Sequence, residues 1–145
     1  MMKIAKTAIA FIIAVLVTYV SAAIFYTQQV IAKQSAIGME FTAGQKLDYY
    51  TSNLSGLWQY GATITIALLI AFAIAAGVKR ILTPLAPIAY PVAGAAAMAL
   101  LIVLIESQLG GGAGVIGGAR DAMGISLQCF AGFLGGGLFA MLRPR

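Results

Sequence analysis

Residues 57–80 read LWQYGATITIALLIAFAIAAGVKR. Trp58 and Tyr60 open the stretch, an uncharged run continues to Val78, and Lys79-Arg80 closes it. Aromatic residues at one end, adjacent cations at the other and about 20 mostly apolar residues between them mark a bilayer-crossing helix. Its basic end belongs on the cytoplasmic side. The stretch therefore predicts a span over residues 57–78, with Thr63 and Thr65 returning hydrogen bonds to their own helix backbone.

The rest of the chain repeats the pattern. Charge is missing from Thr7–Ala32, Tyr49–Val78, Ile81–Ile105 and Ala122–Leu142. Between these stretches the charges fall in alternating groups. Lys3 and Lys6, then Lys79 and Arg80, then Arg143 and Arg145 include no acid. The intervening groups hold Lys33, Glu40, Lys46 and Asp48, then Glu106, Arg120 and Asp121, and so contain every acid in the chain. Threading four spans with both termini in the cytoplasm reproduces this split. The expected architecture is an all-α integral membrane protein of one domain, with spans over about residues 5–27, 57–78, 85–106 and 122–142 and an outer loop over 28–56.

Composition agrees. Of 145 residues, 61% are hydrophobic and 9% charged, against about a quarter charged in a soluble domain. The net charge of +5 does not point to nucleic acid, because no basic cluster exceeds two adjacent residues. The basic flanks orient the chain and meet anionic lipid head groups. Histidine is absent and Cys129 is the one cysteine, which excludes histidine-ligated metal or haem, a Ser-His-Asp triad and an intrachain disulfide. Cys129 reads as a packing residue. No enzyme activity and no cofactor are expected.

Lys3 and Lys6 before an apolar run, with Val20-Ser21-Ala22 beyond, have the outline of a cleavable signal. The run to Tyr26 has the length of a span, so an uncleaved first helix is expected, projecting outward until Gly38 ends it. In the outer loop, Thr42 and Gln45 fit a capping box. Leu47, Tyr50, Leu54 and Trp58 share one helical face, and Gly56 is the terminator. A short amphipathic helix at the outer interface is predicted, with Tyr26, Tyr49, Tyr50, Trp58 and Tyr60 forming an aromatic belt. Pro84, Pro87 and Pro91 predict an inner turn leading into a kinked third span.

The fourth span has the clearest constellation. Gly124, Gln128, Gly132, Gly136 and Ala140 recur every four residues, making one helix face small except for a single amide. Such a face serves close helix packing, against either the alanine-rich start of the third span or another subunit, with Gln128 bonding across the contact. A second set, Gln28, Glu106, Gly118, Arg120 and Asp121, gathers at the outer end as a candidate polar or anion site. Its plainer alternative is a loop in which Asp121 caps the fourth helix and Arg120 pairs with Glu106.

Thr27-Gln28, Gly118-Ala119-Arg120, and then Gly124, Gln128, Gly132 and Gly135-Gly136 resemble the recurring features of small four-span proteobacterial inner-membrane proteins. The resemblance covers most of the chain and implies the topology and a bacterial inner-membrane location. That group has no assigned activity, so no mechanism follows. Rich in packing surface and poor in reactive groups, the chain is expected to be a non-catalytic accessory subunit or oligomeric scaffold, its partners being lipids and other membrane chains. The alternative is a small ion or solute channel lined by Gln28, Gln29, Glu106, Arg120 and Gln128.

Overall fold

The computed structural model describes residues 1–109 and 121–144. They form five α-helices: α1 (Met2–Ala36), α2 (Ala43–Gly56), α3 (Trp58–Ile81), α4 (Ala89–Leu109) and α5 (Ala122–Leu142). No strand occurs among the described residues. All but α2 are long and apolar enough to cross a membrane.

At 35 residues, α1 is ~52 Å long, well beyond the ~30 Å hydrocarbon core. The chain has no helix breaker before Gly38, which takes the left-handed conformation at φ +93°. There the Met39 N–H closes on the Gln34 carbonyl at 3.1 Å.

α2 begins with the expected capping box. The Gln45 N–H donates to Thr42 Oγ1 at 3.3 Å, and the Thr42 N–H donates to Gln45 Oε1 at 3.0 Å. α2 ends at Gly56, yet the chain barely pauses. The Leu57 N–H still reaches the Asn53 carbonyl and the Gly61 N–H the Leu57 carbonyl, so α2 and α3 form one helix broken at Leu57.

The prolines shape the α3–α4 connection. Pro84 lies in a one-turn 3₁₀ segment, Thr83–Leu85, and Pro87 in the turn after it. Pro91 occupies the first turn of α4, where a missing N–H costs no hydrogen bond.

α1 and α5 bury mainly small residues, α3 and α4 bury Ile64, Leu68, Met98 and Ile102 between them, and many of the other large apolar side chains face outward. Ala10, Ala14, Thr18 and Ala22, spaced every four along α1, are all buried. Ile12, Leu16, Ile66, Ile70, Val103 and Phe133 are exposed. That inversion suits a solvent as apolar as leucine, where helices associate by close backbone approach. One end of the core is aromatic: Phe72 and Phe139 stack at 4.6 Å between centroids, with Phe11 and Tyr90 edge-on to both.

Candidate functional site

The small face of α5 is covered by the same chain. A Cβ built on Gly132 would stand 2.2 Å from the Gly94 carbonyl oxygen, and one on Gly94 would stand 2.1 Å from that of Gly132. On Gly136 it would stand 2.1 Å from the Tyr90 carbonyl oxygen. These three glycines let α4 and α5 touch backbone to backbone. Gly135 faces the other way, where a Cβ would stand 1.9 Å from Thr18 Oγ1 on α1. Of the two partners open to this face, it meets the alanine-rich start of α4, with α1 as a further neighbour. Gly124 is buried and Ala140 half-buried, on the same stripe.

Gln128 is fully buried. Its Oε1 accepts from the Tyr60 hydroxyl at 3.0 Å, and its Nε2 donates to the Ala22 carbonyl at 3.0 Å. The amide thus ties α5 to α3 and α1, and not to α4 as bonding across the glycine contact would require. Ala22 offers its carbonyl because a second acceptor lone pair remains after the helix bond is made.

Tyr60 departs from the predicted aromatic belt. It is 8% exposed and turned into the core, whereas Trp58 is exposed and Tyr26, Tyr49 and Tyr50 are half-buried. A row at four-residue spacing explains this: Tyr60, Ile64, Leu68 and Phe72 are all buried on one face of α3. That row was available in the sequence, but an aromatic residue at a span end reads first as an interfacial anchor.

The polar set expected at the outer end is only partly assembled. Gly118 and Arg120 lie outside the described residues, as does the pairing of Arg120 with Glu106. Gln28 is exposed on α1 and Glu106 is half-buried in the last turns of α4. Asp121 caps α5: its Oδ1 accepts from the Gly124 N–H at 2.9 Å, and its Oδ2 lies 3.5 Å from Lys33 Nζ. The Gly124 N–H holds the Asp121 carboxyl below its ordinary acidity range, and Lys33 adds to the effect. Lys33, absent from the predicted set, is thus the residue that meets Asp121.

Another polar contact joins α1 to α2. Asn53 Nδ2 donates to Thr27 Oγ1 at 3.1 Å, while Thr27 Oγ1 itself donates to the Ala23 carbonyl at 2.8 Å. The Tyr19 hydroxyl donates to the Leu54 carbonyl. It is Thr27 that turns inward, and not its neighbour Gln28.

This geometry defines a class: a helical bundle with four membrane-length apolar helices, close-packed through glycine and alanine and pinned by a buried amide. Comparison with protein-family models, curated proteins and solved structures gives no match.

Proposed function

We propose that this chain is a non-catalytic polytopic protein of the bacterial inner membrane, with both termini cytoplasmic, serving as an accessory subunit or oligomeric scaffold. The observation that carries the reading is the engagement of Gln128. Its oxygen and its nitrogen are both bonded inside the bundle, so the one fully buried amide serves to hold helices together. A channel needs such a group free to meet solute, which weighs against that alternative. The charge asymmetry of the sequence supports the threading, and the resemblance to four-span inner-membrane proteins supports the location.

α2 then lies at the outer interface, its Leu47 and Leu54, with Trp58 at the start of α3, exposed to lipid head groups. Because the glycine face of α5 is filled from within the chain, contact with another subunit falls to the exposed aliphatic faces of α1, α3 and α4. This reading keeps α1 uncleaved, since a cut after Val20-Ser21-Ala22 would remove the whole buried row Ala10, Ala14, Thr18 and Ala22.

Cross-linking in native membranes, followed by mild detergent extraction and mass spectrometry, tests the assembly. A species larger than one chain, or a defined co-purifying membrane protein, is expected. A lone monomer with no partner overturns it. A fluorophore that matures only in the cytoplasm, fused after Arg145, should light up; darkness overturns the threading.

A further inference from the structure

Lys79 and Arg143 converge on one aromatic ring. Lys79 Nζ stands 5.4 Å from the Tyr90 centroid and the Arg143 guanidinium 5.0 Å from it. Cation–π attraction accounts for each contact singly. It leaves unbalanced the repulsion between two like charges gathered at one point. Tyr90 is 2% exposed, and its buried hydroxyl has no hydrogen-bond partner among the described residues.

No acid is placed to relieve this end of the bundle. The chain's four acids sit between α1 and α3 or where α4 ends and α5 begins, at the opposite helix ends. The one ion pair among the described residues, Lys33 with Asp121, lies there as well. Two cations and an unsatisfied hydroxyl, with no Asp or Glu side chain at this end among the described residues, have the chemistry of a site for a phosphodiester.

An apolar groove of about 440 Å³ runs between α3 and α4 and reaches the helix turns that carry Lys79 and Tyr90. Val78 and Ala89 line its near end, next in sequence to Lys79 and Tyr90, and Ala67 and Leu104 its far end. It follows roughly 16 Å of α3 and about 22 Å of α4, at 1.5 Å per residue. A bilayer-spanning partner helix would continue over the full ~30 Å of hydrocarbon. A groove that begins at a cationic end and stops short of that distance fits an acyl chain.

We propose that the inner end of the bundle binds one anionic phospholipid. Its phosphodiester is held by Lys79 and Arg143 beside the Tyr90 hydroxyl, and one acyl chain lies in the α3–α4 groove. The inference rests on the membrane reading above and is independent of any partner subunit.

The test is native mass spectrometry of the full chain in mild detergent, titrated with phosphatidylglycerol or phosphatidylcholine of matched chain length. One phosphatidylglycerol per chain is expected, bound at least about tenfold more tightly than phosphatidylcholine. Lys79→Gln combined with Arg143→Gln should remove that preference, while Lys33→Gln combined with Lys46→Gln at the other end should keep it. Ala96→Phe, filling the groove, should weaken long-chain phosphatidylglycerol severalfold and spare the dihexanoyl form. Equal binding of the two lipids by the unaltered chain overturns the proposal. Complete displacement of phosphatidylglycerol by millimolar inorganic phosphate overturns it too, because it would show an anion site with no use for the acyl chain. Neither readout depends on how the variants fold. The C-terminal reporter tests the threading separately, so the two failures are distinguishable.

Discussion

Gly94 and Gly132 lie so close that each occupies the volume where the other's side chain would begin. The clash a Cβ would make is with a carbonyl oxygen, not with the tip of a flexible side chain, so the helices themselves would have to separate. Gly132→Ala is expected to destabilise the bundle by about 1–3 kcal/mol, the usual range for overpacking a tight core. Gly137 is the control: a Cβ there meets nothing within 4 Å, and Gly137→Ala should be neutral or slightly stabilising. Unfolding in mixed micelles at increasing denaturing detergent would separate the two. Equal midpoints for Gly132→Ala and Gly137→Ala would show that α4 and α5 do not meet as described.

Gln128 and Tyr60 form a buried pair whose value can be isolated by a double-mutant cycle. Interhelical hydrogen bonds in membrane proteins average about 0.6 kcal/mol and reach about 1.7. Gln128→Leu also strands the Tyr60 hydroxyl, so a loss of about 1–2 kcal/mol is expected. Combined with Tyr60→Phe, the loss should be smaller than the sum of the single losses, since the second change removes the stranded donor. Strict additivity would mean that the two side chains do not bond. Flux measurements on the same Gln128→Leu protein in vesicles add a functional reading. Unchanged background leak is expected, and a specific solute flux lost on substitution would revive the channel alternative.

The legible parts of this fold were those set by solvent and by local chemistry. Charge-free length located the four apolar helices, Thr42 with Gln45 gave the start of α2, and Gly38 and Gly56 gave the helix ends. The four-residue glycine row on α5 announced a packing face. What could not be read was the partner of each face, because small residues specify closeness without direction. The matching row Ala10, Ala14, Thr18 and Ala22 on α1 stands at the same spacing, but alanine is ordinary in any apolar helix and does not by itself mark a packing face. Tyr90 was hidden for another reason. It stands among prolines that dominate the local reading, and only the meeting of three helices brings Lys79 and Arg143 to it.

α2 has no buried residue, so its attachment rests largely on bonds to α1. Asn53→Ala deletes the bond to Thr27, and Tyr19→Phe deletes the one to the Leu54 carbonyl. Each such bond contributes about 0.5–1.5 kcal/mol, so losing both should raise local opening of α2 about tenfold. Hydrogen exchange should then quicken across residues 46–56 while the core of α3 keeps its protection. Unaltered exchange in α2 would show that the surrounding micelle or bilayer, and not α1, holds this helix in place.

Asp121 gives the fold a pH dependence of known sign. Its carboxyl is held below the ordinary range first by the Gly124 N–H and then by Lys33, so the folded state binds this proton less readily than the unfolded chain. A group depressed on folding stabilises fully above its unfolded pKa and loses that contribution as pH falls through the folded value. Thermal stability in detergent should therefore be flat from about pH 7 to 5 as far as this group is concerned, and decline below about pH 4. Asp121→Asn keeps an N-cap without a titrating proton. Every other acid is common to both proteins, so the difference between wild type and Asp121→Asn isolates the cap. That difference should shrink or change sign on acidification, whereas a constant gap from pH 7 to 3 would show that the charge on Asp121 does not contribute to the start of α5.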